Sequence, residues 1–118
     1  MKLLSAIAIA IAAALTVTAA PAFAADPLQD CVELSAQHVV RRAGDGAVAV
    51  RDGDQYYRAE MRYGCNDLGY SAKLKISTDK QENRLCPQGS KLITQRDYCA
   101  ISRVEKIDEQ AFKRYIKR

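Results

Sequence analysis

The chain has 118 residues, a formal net charge of +4 at pH 7, four cysteines and no tryptophan. This length fits one domain, and the modest charge disfavours a nucleic-acid-binding protein, which neutralises many phosphates with Lys and Arg. The sequence contains neither a phosphate-binding glycine loop nor a dinucleotide fingerprint.

The first 24 residues predict a cleavable secretory signal. Lys2 precedes a stretch from 3 to 17 that is almost wholly apolar, and Ala22-Phe23-Ala24 matches the A-x-A pattern that signal peptidase reads. An uncleaved membrane anchor is the alternative, because the apolar run approaches the ~20 residues that a span needs. The Ala-rich composition and the A-x-A end favour cleavage after Ala24. We therefore expect a single periplasmic or secreted domain, residues 25–118, with no transmembrane segment after cleavage and no lipid anchor.

The four cysteines all lie in this mature part: Cys31, Cys65, Cys86 and Cys99. A domain of this size is marginally stable without bracing, and an oxidising compartment makes two disulfides the expected state. Their wide spacing argues against a zinc site and against a C-x-x-C redox motif. Three pairings are possible. We favour Cys31–Cys65 with Cys86–Cys99, because each bridge then links neighbouring segments.

The mature chain begins with short apolar pieces and then a hairpin. Residues 31–34 read as a strand or a helical turn, and Val39-Val40 as a short strand. The apolar strand 47–50 is followed by Asp52-Gly53, which predicts a type I′ hairpin turn. The returning strand alternates. One side has Tyr57, Ala59, Met61 and Tyr63, which we place in the core, and the other has Tyr56, Arg58, Glu60 and Arg62, which we place in solvent.

A second alternating strand follows, and the chain ends in a helix. In the strand, Ala72, Leu74 and Ile76 point inward, whereas Lys73 and Lys75 point outward. Residues 78–84 are polar and predict an exposed loop. Strands at 91–94 and 98–107 come next, the latter with Ile101 and Val104 in the core. Asp108 suits a helix N-cap, and the stripe of Phe112, Tyr115 and Ile116 predicts a helix packed on the sheet.

These elements predict a mainly β (α+β) fold. We expect a small twisted antiparallel sheet or partly open barrel with a C-terminal helix, braced by two disulfides.

Several short segments together resemble an uncharacterised family of small secreted bacterial proteins with four cysteines. They are Asp30-Cys31, the hairpin 47–53, the Tyr-bearing strand from Tyr56, Cys65-Asn66-Asp67-Leu68, Leu85-Cys86-Pro87, and Cys99-Ala100-Ile101 before an acidic helix start. The resemblance covers nearly all of the mature chain. It implies an envelope location and this fold type, and it supplies no activity and no catalytic residue.

The chemistry-bearing residues do not form an enzyme motif. His38 is the only histidine, and no nucleophile stands near it in a hydrolase pattern. The acids Asp45, Asp52 and Asp54 suggest calcium, but Tyr63 stands where the loop of an EF-hand needs its glutamate. We therefore expect no catalytic, cofactor-binding or metal-binding residue, no cofactor, and a non-enzymatic protein.

A basic strand face is the remaining candidate. If the two alternating strands are neighbours, a positive strip results, made of Arg58, Arg62, Lys73 and Lys75 with Tyr56. Such a surface suits an anionic envelope component or an acidic protein partner, although a charged outer face also protects a sheet from edge-to-edge pairing. We expect a monomeric, non-enzymatic periplasmic binding or envelope-associated protein that acts through its sheet surface and loops. The alternative is a secreted inhibitor of a hydrolase, either a lysozyme or a protease, in which rigid loops are presented to the enzyme.

Overall fold

A computed structural model describes residues 26–44, 46–66, 68–69, 71 and 73–117. The signal predicted at 1–24 lies outside this part of the chain, as do Asp45 and Ala72. The described elements are β1 (Asp26–Pro27), β2 (Val32–Glu33), β3 (Val39–Arg42), β4 (Ala47–Asp52), β5 (Gln55–Met61), β6 (Lys75–Thr78), β7 (Gln81–Glu82), β8 (Arg84–Leu85), β9 (Ser90–Ile93), β10 (Tyr98–Ile107) and α1 (Glu109–Ile116).

The main sheet is antiparallel and curls into a half-barrel. Its strand order is β3-β4-β5-β10-β9-β6-β7, and β1 pairs with the end of β10, while β2 and β8 form a separate ladder. The ladder between β10 and β5 shifts register between Ile101 and Arg103. Such a bulge bends a strand and increases its twist. The predicted fold class, with its C-terminal helix and two disulfides, is confirmed.

Strand β4 is buried on both faces and separates two apolar clusters. Val48 and Val50 belong to the main core inside the curl, which also contains Tyr57, Ala59, Met61, Ile76, Leu85, Leu92, Ile101 and Val104. Ala47 and Ala49 point to the other side, where they meet Ile107, Ala111 and Phe112. The small alanines let the helix approach closely, and the larger valines fill the main core. Both Ile101 and Val104 lie in the core, as predicted.

Helix α1 packs on the sheet face that the sequence placed in solvent. Asp108 caps it by accepting a hydrogen bond from the Ala111 amide at 2.7 Å, as predicted. The Phe112 ring lies 5.3 Å from the Tyr56 ring. The Tyr115 ring lies 4.8 Å from the Arg58 guanidinium carbon. The prediction that the side chains of β5 alternate between two faces is therefore confirmed. The outer face is not fully exposed to solvent, because the helix covers its first half.

Two turns differ from the sequence prediction. At the β4–β5 hairpin only Gly53 has positive φ, at 64°, which is the type II′ pattern and not type I′. The predicted loop 78–84 is partly a hairpin of β6 and β7, in which Asp79 and Lys80 have φ of 53° and 67°. This is the type I′ pattern. The sequence shows no alternation of apolar and polar residues here, because β7 has only two residues and both are exposed.

The predicted disulfide connectivity is wrong. The structure pairs Cys31 with Cys86 and Cys65 with Cys99. Strand β2 pairs with β8 through Val32 and Leu85, so Cys31 and Cys86 stand opposite each other one position further along, with Cα atoms 4.0 Å apart. The cross-strand neighbour of Cys99 in β9 is Leu92. Sheet register therefore accounts for the Cys31–Cys86 pair and places Leu92, not Cys86, beside Cys99.

No helix in the described part of the chain has the length and apolarity needed to cross a bilayer. The two disulfides are compatible with an extracellular or periplasmic protein.

Candidate functional site

The structure does not assemble the predicted basic strip. Arg58 lies on β5 and Arg62 just beyond it, whereas Lys75 lies on β6 and Lys73 just before it. Strands β10 and β9 stand between β5 and β6. The premise that the two alternating strands are neighbours is therefore wrong. They share a core face, and alternation within each strand carries no information about their order in the sheet.

Two residues of the predicted strip, Tyr56 and Arg58 on β5, pack against the helix. Arg58 forms an ion pair with Glu60 at 3.2 Å, and only 21% of its side chain is exposed. Burial and the neighbouring Glu109 carboxylate raise the pKa of Tyr56, whose ring packs on Phe112. Neither side chain is presented freely to a ligand. Arg62 is exposed beyond the end of β5.

The two lysines do lie together, near the edge of the sheet that β7 forms. Lys73 and Lys75 line an open cleft of about 450 Å³ with Ile93, Thr94 and Gln95. Lys75 stands opposite Ile93 in the ladder between β6 and β9. This half of the predicted strip is therefore a pair of lysines beside one apolar side chain.

Another cleft surrounds a disulfide that the sequence did not predict, the Cys65–Cys99 bridge. It measures about 620 Å³ and is lined by Tyr63, Gly64, Cys65, Asn66, Asp97, Tyr98, Cys99 and Ala100. We call it the tyrosine cleft. Tyr63 is 87% exposed and Tyr98 is 52% exposed, and they are the large apolar side chains that the described residues leave in solvent. The placement of Tyr63 in the core was therefore wrong.

The backbone of the tyrosine cleft is held from both sides. Immediately before Tyr63, the Arg62 amide donates a hydrogen bond to the Ala100 carbonyl at 2.9 Å. Two residues after Tyr63, Cys65 forms the disulfide with Cys99. Beside Tyr98, the Thr94 amide donates to the Asp97 carbonyl at 2.8 Å. The Lys91 ammonium lies 4.5 Å from the centre of the Tyr98 ring. The site is thus preorganised, which lowers the entropic cost of binding.

The lining of this cleft combines aromatic rings with hydrogen-bonding groups. The tyrosines offer flat rings with polar tips, and Asn66 and Asp97 add hydrogen-bonding groups to the lining. A sequence signal for it existed, because Tyr98 adjoins Cys99 and Tyr63 stands two residues before Cys65. The Cys65–Cys99 pairing and the ladder between β5 and β10 together bring the tyrosines to one place.

A second polar group contains the residue types of a hydrolase triad in the wrong arrangement. The Ser35 hydroxyl donates directly to Asp52, and the Ser35 amide donates to the same carboxylate at 3.0 Å. The His38 Nδ1 atom lies 2.7 Å from the Ser35 carbonyl oxygen, whereas the Ser35 hydroxyl is bonded directly to Asp52. In a triad the histidine stands between the serine and the acid. The hydroxyl of Ser35, more than any other group, lowers the pKa of Asp52, and the cluster ties a turn to the β4–β5 hairpin.

The described residues contain no group of three His, Cys, Asp or Glu side chains that could hold a metal ion. The model of one protein family, the Family of unknown function (DUF6491), matches residues 1–118. Neither the curated proteins nor the solved structures contain a match to the chain.

Proposed function

This chain belongs to the family of unknown function DUF6491, and we propose that it is a non-enzymatic binding protein of the bacterial periplasm. The tyrosine cleft is its recognition site. The exposure of Tyr63, at 87%, carries the proposal. Large apolar side chains that stay in solvent beside a concave surface are typical of interaction sites.

The ligand class that fits this cleft is a cell-wall glycan. Sugar rings present C–H faces that pack on aromatic rings, and the negative face of the tyrosine ring attracts those polarised hydrogens. Their hydroxyl groups can bond to Asn66 and Asp97, which line the same cleft. The predicted secretory signal and the two disulfides support a location where such polymers occur.

A hydrolase inhibitor is the second candidate function. Tyr63 lies on a turn that is fixed by the Arg62–Ala100 hydrogen bond on one side and by a disulfide on the other. A rigid, projecting aromatic side chain suits insertion into the active-site cleft of an enzyme.

Co-sedimentation with purified, insoluble peptidoglycan tests the leading proposal. The mature domain, residues 25–118, is expected to bind the polymer, and the double variant Tyr63→Ala with Tyr98→Ala is expected to bind at least about tenfold more weakly, the loss of a central aromatic contact. Gln110→Ala, an exposed change on α1, is the control and should bind like the wild type. Unchanged binding by the tyrosine variant, or no binding by the wild type, would refute the glycan site. Stoichiometric inhibition of a purified muramidase or protease would instead support the second candidate.

A further inference from the structure

We infer that a second site, the cleft between α1 and the outer edge of the sheet, binds the phosphate ester of an anionic lipid headgroup. This helix-edge cleft measures about 160 Å³. Its lining includes three cations, Arg41, Arg51 and Lys113, and three apolar side chains, Val39, Phe112 and Ile116. The inference is independent of the tyrosine cleft, whose residues it does not use.

The fold brings the three cations together from three different elements. In the ladder between β3 and β4, Val39 stands opposite Arg51 and Arg41 stands opposite Ala49. Arg41 and Arg51 are therefore diagonal neighbours on one sheet face. Helix α1 packs on this same face through Phe112, and Lys113 follows on the side of the helix that borders the cleft.

The positive charge of the cleft is only partly neutralised by the protein. Glu109 is the acid in its lining, and it already pairs with Lys113 at 3.7 Å and accepts a hydrogen bond from Tyr56. Among the described residues, no carboxylate lies within ion-pair distance of Arg41 or Arg51, and both arginines are exposed. Two like charges held side by side repel each other, and an anion between them would relieve that repulsion.

The residue types select a phosphate ester with an apolar neighbour. The planar guanidinium group matches the oxygens of phosphate with two parallel hydrogen bonds. Val39 and Ile116 lie beside the cations and are half-buried, so they can contact a carbon chain next to the phosphate. A lipid headgroup has both parts, whereas a free phosphate ion has only the first. Lys117, exposed one turn beyond Lys113, extends the positive surface towards a bilayer.

Vesicle co-sedimentation tests this inference with the oxidised mature domain. The probe is vesicles of phosphatidylglycerol mixed with phosphatidylcholine, and vesicles of phosphatidylcholine alone are the neutral reference. The test variant is Arg41→Gln with Arg51→Gln. The matched control is Arg62→Gln with Lys73→Gln, which removes the same charge from exposed positions outside the cleft.

The wild type is expected to bind the anionic vesicles and not the neutral ones. The test variant should lose about 25-fold in affinity, the combined effect of two basic side chains near an anionic membrane surface. The control should stay within about threefold of the wild type. Equal loss in both variants would refute the site in favour of unspecific charge attraction. Soluble glycerol phosphate is the second probe. Binding to it without binding to vesicles would refute the assignment to a lipid headgroup. Binding to neither probe would refute the phosphate site itself.

Discussion

Removing the ring of Phe112 tests whether α1 is an integral part of the packed domain. Its side chain is only 6% exposed, and it joins the helix to the sheet beside Ala49 and Ala111. Truncation of a buried Phe to Ala costs about 3–5 kcal/mol. This cluster is a thin outer layer, so we expect the lower end, about 3 kcal/mol. A helix of eight residues cannot persist alone in water, so much of α1 should also lose its structure.

Three measurements on Phe112→Ala check this reasoning. Urea unfolding gives the loss of stability, and hydrogen exchange should show α1 amides exchanging freely while those of β5 remain protected. The pKa of Tyr56 should fall towards its ordinary value, because burial by the helix and the Glu109 carboxylate raise it in the wild type. NMR with labelled tyrosine reads that pKa directly. A loss below about 1 kcal/mol together with an unchanged Tyr56 pKa would refute the packing. Gln110→Ala, exposed on the same helix, is the control.

Cys31→Ser with Cys86→Ser should leave the other bridge intact and lower the free energy of unfolding by about 4 kcal/mol, because the bridge spans 55 residues. Cys31→Ser with Cys65→Ser should instead leave the thiols of Cys86 and Cys99 free to react with a thiol reagent. A disulfide found between Cys86 and Cys99 would contradict the pairing in the structure. Ser35→Ala should raise the pKa of Asp52, which the serine hydroxyl holds below its ordinary value. A carboxylate with a lowered pKa stabilises the fold above its unfolded-state pKa, and that contribution disappears as the pH falls through its folded-state pKa. The variant should therefore be less stable at neutral pH and lose less stability on acidification, as urea unfolding at a series of pH values can measure; identical pH profiles would contradict the role of Ser35.

Local patterns predicted most of the elements. Strand β10 was predicted over residues 98–107 and has those bounds, and Asp108 was predicted as the N-cap. Both depend on short-range rules: an extended strand with apolar core positions, and a side-chain oxygen before the first turn of a helix. The β4–β5 hairpin was also located correctly, although its turn type was not.

The order of the strands could not be predicted, and the candidate site depended on it. Strand β10 pairs with β5 on one side and with β9 on the other, and no local pattern specifies which distant strands meet. Lys75 was therefore assigned to the neighbourhood of Arg58. The exposure of Tyr63 escaped prediction for a related reason, because alternation was extended past Met61, where β5 ends.

The two disulfides interleave along the chain, and this has a consequence for the order in which the domain can close. Each bridge joins a cysteine at 65 or before to a cysteine at 86 or beyond. When a chain emerges from a ribosome or a translocon amino end first, the first two thiols to meet are those of Cys31 and Cys65, which are not partners in the folded domain. An early oxidation would therefore trap the wrong pair, and recovery requires thiol–disulfide exchange. Native pairing can therefore be completed only after the chain has been made beyond Cys99, and a catalyst of thiol–disulfide exchange would speed it.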